Sequence, residues 1–150
     1  VFDWHINRER AKNGCRVYER SAGIKSVIRT VKRGHSFFYL PDQDHGREAS
    51  IFAPFFGYPK ATLPVLPRLV QVSGAKAVPL LASYDEVQHC YRLEIEAPFA
   101  DYPSGDLAAD TRRMNAFIEE RVREMPEQYY WVHKRFKTRP EGEASFYAGL

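Results

Sequence analysis

The sequence predicts an α/β protein in which a central, mostly parallel β-sheet is flanked by helices. Segments with helical spacing of apolar residues alternate along the chain with short apolar segments. These short segments are nearly continuous in apolar residues, which is typical of strands buried on both faces of a sheet. With 150 residues, 44% of them hydrophobic, the chain is long enough to form one domain with its own core.

The first third of the chain predicts two helices and two strands. The first helix covers residues 1–13 and ends at Gly14, because glycine tolerates the left-handed conformation of a helix stop. The segment CRVYE, residues 15–19, predicts a short strand. Apolar residues at helical spacing predict a second helix over residues 24–31. The segment SFFYLP, residues 36–41, predicts a strand buried on both faces.

A proline-broken, aromatic loop is predicted next, over residues 42–59. The elements predicted after it are a helix at 63–74, a buried strand at 75–84, a half-exposed antiparallel partner strand at 89–98, an amphipathic helix at 107–124 and a further helix from Pro126.

Charge is distributed unevenly. Residues 1–34 contain nine Lys/Arg and three Asp/Glu, a net charge of +6. Residues 35–132 contain nine Lys/Arg and fourteen Asp/Glu, a net charge of −5. Residues 133–150 contain four Lys/Arg and two Asp/Glu, a net charge of +2. Basic ends favour an anionic partner, and phosphate, nucleic acid and a membrane surface all fit. The helical pattern is already under way at Val1, so we interpret the chain as part of a longer protein.

The segment PDQDHG carries the first candidate site, with Asp42, Asp44 and His45 just past a predicted strand. Ligands of open α/β sheets bind at such strand ends. A hard metal ion could use the two carboxylates, but no further ligand follows at a recognisable spacing. A structural turn and a loop that positions a polar substrate remain as alternatives, since aspartate readily hydrogen-bonds its own backbone in turns.

A second candidate is the pair His89 and Glu94, which matches an H-x4-[DE] motif in which the acid orients a histidine base. Residues five apart on an extended strand point to opposite faces of the sheet. We therefore interpret this match as a chance occurrence.

The segment YYWVHKRFKTRPEGE, residues 129–143, interleaves aromatic and basic residues. Such a pattern can bind nucleic acid through stacking and charge. It can equally hold aromatic residues at a membrane interface, with cations against anionic headgroups. Arg135 and Arg139 share one side whether the backbone is extended or helical, and paired guanidinium groups bind phosphates or carboxylates well.

Two long segments carry a family resemblance: FFYLPDQDHGREASIFAPFFG, residues 37–57, and DTRRMNAFIEERVREMPEQYYWVHKRFKTRPEGE, residues 110–143. Together with the strands between them they resemble the late acyltransferases of lipid A biosynthesis, of the lauroyl (Kdo2-lipid IVA) type within the lysophospholipid-acyltransferase-like superfamily. The resemblance covers about residues 1–147.

The resemblance implies that residues 1–150 are the carboxyl-terminal part of one acyltransferase domain. The membrane-anchoring helix and the H-x4-[DE] motif of the family are not in this chain, so it holds no catalytic residue and is expected to be inactive alone. The implied reaction moves a fatty acyl chain from acyl carrier protein to a hydroxyl of a Kdo-lipid A precursor, at the cytoplasmic face of the inner membrane. No metal, cofactor or nucleic acid is implied.

The resemblance also suggests roles for particular residues. Those expected to bind substrate are Asp42, Asp44, Arg47, Arg135 and Arg139. Those expected to line an acyl groove are Phe52, Phe55, Phe56 and Tyr58, although these aromatic residues could equally close the core. Arg47 could instead be the salt-bridge partner of the aspartates. Two other functions remain open, namely a nucleic-acid-binding module and a non-catalytic domain that binds lipid or carrier protein.

Overall fold

The structure is a computed structural model that describes residues 2–18 and 23–149. It divides into two compact units, Val1–Phe37 and Phe38–Leu150. The helices and strands, in chain order, are α1 (Phe2–Lys12), α2 (Ile24–Val31), β1 (Ile51–Phe55), β2 (Tyr58–Thr62), α3 (Val65–Ser73), β3 (Leu80–Asp85), β4 (Cys90–Ile95) and α4 (Leu107–Glu124), followed by a one-turn 3-10 helix (Pro126–Gln128).

The first unit contains α1 and α2, and both helices were predicted. Gly14 follows α1 with a φ of 74°, as its role as a stop requires. The strand predicted at residues 15–19 is wrong for residues 15–18, which are irregular, because no strand in the described residues pairs with them. Glu19, and Val1 of the first predicted helix, lie outside the described residues.

The loop predicted at residues 42–59 is wrong beyond residue 50, where β1 and β2 form an antiparallel hairpin. Pro54 and Pro59 stand opposite each other in the register. Their carbonyl groups accept hydrogen bonds from Asn115 and Arg139, outside the hairpin. The prolines therefore occupy positions where the hairpin needs no backbone N–H donor, and they do not break the strands.

The helix α4 packs against β1 and α3 and closes the core of the second unit. Its amino end is set by Asp106, whose carboxylate accepts hydrogen bonds from the backbone N–H groups of Ala108 (2.9 Å) and Ala109 (3.0 Å). The buried apolar residues of this unit are Ala53, Phe55, Ala61, Pro64, Pro67, Leu69, Val70, Ala77, Met114 and Val122. The predicted helices at 63–74 and 107–124 are thus confirmed.

The strands β3 and β4 form a second antiparallel hairpin, as predicted. The turn between them is held by Asp85, whose carboxylate accepts hydrogen bonds from the N–H groups of Val87 and Gln88. The predicted buried strand over residues 75–84 is wrong in extent and burial. It begins only at Leu80, after Pro79, and every second residue of β3 is exposed. The strand β4, expected to be half-exposed, is exposed throughout.

The segment 36–41 forms no regular element and pairs with no strand among the described residues, and Phe38 and Leu40 are mostly exposed. The prediction of a strand buried on both faces there is wrong for the described structure. The strands that are described form two two-stranded antiparallel sheets. The central, mostly parallel sheet therefore stays a prediction. Within the described ranges, no helix combines the length and apolar character needed to cross a bilayer.

Candidate functional site

The candidate site begins with an ion pair between two distant segments of the chain. The Oδ2 atom of Asp42 accepts hydrogen bonds from Nε (3.0 Å) and Nη2 (2.6 Å) of Arg135, and from the hydroxyl of Tyr129 (2.8 Å). Burial raises the pKa of Asp42, but the hydrogen bonds from Arg135 and Tyr129 outweigh it, so the pKa lies below its usual value. Asp42 is therefore held ionised.

The guanidinium group of Arg135 is surrounded by protein. It is 4% exposed, and its Nη1 donates to the carbonyl group of Tyr130 at 2.5 Å. Its carbon Cζ lies 4.0 Å from the centroid of the Tyr129 ring, a cation–π distance. Burial and the charge of Asp42 raise the pKa of Tyr129, so this hydroxyl remains a hydrogen-bond donor. Ionic, hydrogen-bonding and aromatic contacts thus fix Arg135 in one position.

Asp44 makes a second link between the same two segments. Its carboxylate accepts hydrogen bonds from the backbone N–H and the hydroxyl of Thr138, both at 2.9 Å. It also accepts one from the backbone N–H of Gly46 at 2.9 Å, which closes a tight local turn. Asp44 is buried, so its charge is compensated mainly by these directed donors.

Arg47 and Arg139 make the third link. Arg47 donates from Nη2 to the carbonyl group of Arg139 (2.7 Å) and lies over the ring of Phe52 (5.5 Å). Arg139 is 8% exposed, donates from Nη1 to the carbonyl group of Pro59 (2.7 Å) and forms an ion pair with Glu143. In contrast to Arg139, Arg47 is exposed.

All five polar residues predicted to bind substrate therefore lie in one cluster. We call Asp42, Asp44, Arg47, Arg135 and Arg139 the polar cluster. The alternative that Arg47 is the salt-bridge partner of the aspartates is wrong for Asp42, whose partner is Arg135. Tyr129 and Thr138 were not predicted as partners, although both lie in the second family segment. Substrate binding by the polar cluster stays a prediction.

The four aromatic residues predicted to line an acyl groove differ in exposure. Phe55 is 1% exposed, packs edge-on against Phe56 (4.8 Å between centroids) and belongs to the core. Phe52 and Tyr58 are 36% and 54% exposed. Lining of a groove stays a prediction, and the two exposed residues are the ones that an acyl chain could reach.

Lys60, which was not predicted as a site residue, is completely buried beside the polar cluster. Its Nζ donates to the hydroxyl of Thr62 at 3.3 Å and lies 5.7 Å from the ring centroid of Phe55. Burial lowers the pKa of Lys60 to about 8, although the charges of Asp42 and Asp44 act in the opposite direction. Lys60, Ala61 and Thr62 are buried in succession, so the packing around β2 distinguishes Lys60 from a surface lysine.

Asn115 was not predicted as a site residue either, because the prediction of α4 rested on the apolar residues of this helix. It is 1% exposed, and its Nδ2 donates to the carbonyl group of Pro54 (3.1 Å) and to Thr62 Oγ1 (3.3 Å). Its Oδ1 is buried and has no hydrogen-bond partner in the described parts of the chain. Asn115 thus joins the helix to both strands of the first hairpin.

His89 and Glu94 do not form a catalytic pair in the described structure. His89 lies in the turn before β4, and its Nδ1 is 3.4 Å from the hydroxyl of Tyr84. Glu94 lies opposite Leu81 in the sheet, and no hydrogen bond joins it to His89 in the described part of the chain. In the same residues, no group of three or more His, Cys, Asp or Glu side chains is arranged to hold a metal ion.

Comparison with known proteins supplies the family. The family described as bacterial lipid A biosynthesis acyltransferase matches residues 1–138. The chain is 45% identical over 148 residues to lipid A biosynthesis acyltransferase 2 of Shigella flexneri, covering 98% of this chain and 47% of that protein. It is 43% identical over 147 residues to the lipid A biosynthesis myristoyltransferase of Escherichia coli K12, covering 98% and 46%.

The lauroyltransferase of the same E. coli strain is 33% identical over 148 residues, covering 98% of this chain and 48% of that protein. Relatives that transfer different acyl chains thus match, and the matches do not select an acyl length. The chain spans about half the length of the curated relatives it matches. The family match over residues 1–138 establishes that this chain belongs to the bacterial lipid A biosynthesis acyltransferases.

Proposed function

We propose that this chain is part of an acyltransferase that transfers a fatty acyl chain to a hydroxyl group of a lipid A precursor. Family membership supports this proposal, as do the names of the relatives. The observation that carries it is the polar cluster, in which the two segments of the family resemblance are joined by the Asp42–Arg135 ion pair and the hydrogen bonds between Asp44 and Thr138.

The proposed donor is acyl carrier protein, and the proposed acceptor is a Kdo-lipid A precursor at the cytoplasmic face of the inner membrane. In this mechanism a histidine outside this chain removes the proton of the acceptor hydroxyl. The resulting oxygen attacks the thioester carbonyl, and cations or backbone N–H groups stabilise the oxyanion. Collapse of the oxyanion breaks the C–S bond and forms the ester, and the departing thiolate of the carrier protein takes the proton back from the histidine. No covalent acyl-enzyme is required, and the chain alone is proposed to be inactive.

Within the polar cluster, Arg47 is the residue we propose to contact the substrate. Asp42, Asp44, Arg135 and Arg139 already have directed protein partners, so we propose that they position the loop. Arg47 is exposed, donates one hydrogen bond to the carbonyl group of Arg139 and lies over the exposed ring of Phe52. A cation next to an exposed aromatic ring suits a substrate with phosphate groups at one end and acyl chains at the other.

The experiment is an acyl-transfer assay on a chimaera. This chain replaces the matched part of the E. coli myristoyltransferase, and transfer from acyl carrier protein to the Kdo-lipid A precursor is measured beside the chain alone. We expect activity for the chimaera only. A correctly folded chimaera without activity would refute the proposed function, and turnover by the chain alone would refute the assignment of the base to the other half.

Arg47 is tested in the same assay. Arg47→Ala should reduce kcat/KM about 10–100-fold, since about 1.4 kcal/mol corresponds to tenfold. Arg68→Ala, which removes an exposed cation from α3, is the matched control and should leave kcat/KM unchanged. Equal activity of the two variants would reduce Arg47 to a structural residue.

A further inference from the structure

The second hairpin carries its apolar residues on the exposed side. We define the hairpin face as the side chains of Leu80, Ala82, Tyr84, Tyr91, Leu93 and Ile95, which the register brings to one side of the sheet as three cross-strand pairs. All six are exposed, and the β4 members Tyr91, Leu93 and Ile95 are 79%, 67% and 74% exposed. Soluble proteins rarely leave a contiguous apolar surface of this kind uncovered.

The opposite side of the same hairpin is largely polar. Beside Leu81 and Cys90 it carries Ser83, Glu94 and the ion pair between Asp85 and Arg92 (2.5 Å). The β3 residues on this side are the half-buried ones. An antiparallel sheet with one solvated face normally buries its apolar side and exposes its polar side. In this hairpin the apolar side is the exposed one, which indicates that another surface packs on the hairpin face.

The two strand edges of the second hairpin differ in whether another part of the chain already bonds to them. The side chain of Gln128 already bonds the backbone N–H (2.7 Å) and C=O (3.0 Å) of Tyr84 and so occupies part of the β3 edge. Among the described residues this sheet has two strands, so β4 has no strand on its outer side. A two-stranded hairpin is marginally stable without further packing. The open side is therefore β4, whose Tyr91, Leu93 and Ile95 are also the most exposed members of the face.

The charge of the second hairpin distinguishes between the partners that could cover the hairpin face. Residues 85–96 contain four acidic residues and one arginine, giving a net charge of −3. An anionic membrane surface would be repelled by this hairpin, because such surfaces attract Lys and Arg. A second copy of the chain would bring two hairpins of charge −3 together, which electrostatic complementarity disfavours. The favoured occupant is an apolar protein segment that is neutral or basic around its edge.

We propose that the hairpin face packs against the half of a lipid A acyltransferase that this chain does not span. The inference rests on the proposed function, in which the chain is one part of a longer enzyme. Its relatives have about twice the length of the match, so they contain a further segment of comparable size. The proposed contact is an apolar surface or strand of that segment laid on Tyr91, Leu93 and Ile95.

The test is hydrogen exchange of the β4 backbone amides in the chain alone and in the chimaera with the E. coli myristoyltransferase. We expect the amides of residues 91, 93 and 95 to exchange at least about tenfold more slowly in the chimaera. The readout does not depend on acyl transfer, so an inactive chimaera with a protected β4 would refute the proposed function and leave this inference standing. Equal exchange in the two proteins would overturn the inference.

Leu93→Asp supplies a second measurement. It should leave the Tm of the chain alone unchanged and lower that of the chimaera, whereas the control Val87→Asp, in the exposed turn, should change neither. If the chimaera does not fold, the two halves are produced as separate chains and mixed, and β4 exchange is measured again. Protection of β4 in the chain alone at high concentration, with a dimer by light scattering, or protection that requires anionic vesicles, would overturn the proposal.

Discussion

The two hairpins of the second unit have the same topology and nearly the same length, yet only the first contains fully buried residues. In the first, β1–β2, a lysine and a threonine are fully buried, because α4 and the segment around Arg139 cover its inner face. In the second, β3–β4, Leu93 and Ile95 are mostly exposed. Burial of a strand in this molecule is therefore determined mainly by the elements that pack on it, and less by how apolar its residues are.

The largest effect is expected when the core of the first hairpin is truncated. Phe55→Ala should lower the free energy of unfolding by about 4 kcal/mol, because it removes a fully buried aromatic side chain and leaves a cavity. Chemical denaturation of the chain measures the change. Tyr91→Ala in the second hairpin is the matched control and should change the stability by less than about 0.5 kcal/mol. Equal losses in the two variants would contradict the comparison.

The next effect concerns the ion pair that fastens the loop beside the first hairpin. Arg135→Met should lower the free energy of unfolding by about 3 kcal/mol, because it leaves Asp42 half-buried without its cation. Lys137→Met, two residues away and exposed, is the control and should have little effect.

The pH dependence of this loss identifies its cause. The folded pKa of Asp42 is lowered, so its contribution to stability is present above the unfolded pKa of about 3.9 and is lost as pH falls through the folded pKa. The difference between parent and Arg135→Met should therefore shrink in acid. A loss that is constant with pH would assign the effect to packing of Arg135 on Tyr129.

A gain in stability is expected at Lys60, the buried cation of the first hairpin. Lys60→Met should raise the free energy of unfolding by about 2 kcal/mol at pH 7, because a buried ammonium group costs desolvation. The folded pKa, about 8, lies below the unfolded value. The cost is therefore fully present below pH 8 and decreases as pH rises toward the unfolded pKa of about 10.4.

The check is the difference between Lys60→Met and the parent at pH 7 and pH 9.5, since both proteins share all other titrating groups. The gain should be smaller at pH 9.5. Lys76→Met, on an exposed residue, is the control. If Lys60→Met destabilised the chain at both pH values, attraction to Asp42 and Asp44 would outweigh desolvation.

The smallest effect is expected at the clamp of the second hairpin. Gln128→Ala removes two exposed hydrogen bonds to the backbone of Tyr84 and should lower the free energy of unfolding by about 1 kcal/mol. It should also speed hydrogen exchange in β3 more than in β1, whereas the exposed Gln71→Ala should do neither. Unchanged β3 exchange would show that other contacts hold this hairpin.

Regular elements with strong local signals were predictable from the sequence. The helices α2, α3 and α4 follow from apolar spacing and end signals, and the β3–β4 hairpin follows from alternation around a polar turn. The β1–β2 hairpin was not predictable, because Pro54 and Pro59 usually indicate loops. They are compatible with this hairpin because neither stands where the ladder between the strands needs an N–H donor.

Residues of the polar cluster could be predicted from the sequence, but the contacts between them could not. Asp42 and Arg135 were both identified, yet they are 93 residues apart and no local pattern indicates that they meet. Lys60 and Asn115 could not be identified, because their burial depends on the packing of α4 against β1. The segment at 36–41 has the composition of a buried strand, and no strand of the described residues pairs with it.

The Asp42–Arg135 ion pair also limits how early the site can assemble during synthesis of the chain. Synthesis proceeds at about 5–20 residues per second, so the 93 residues between the two partners take about 5–20 s to emerge. During that interval the growing chain carries a loop whose carboxylates lack their final donors, beside a hairpin that can already form. Assembly of the site therefore cannot precede the synthesis of residue 135, and a nascent chain halted before that residue would carry the loop without its ion pair.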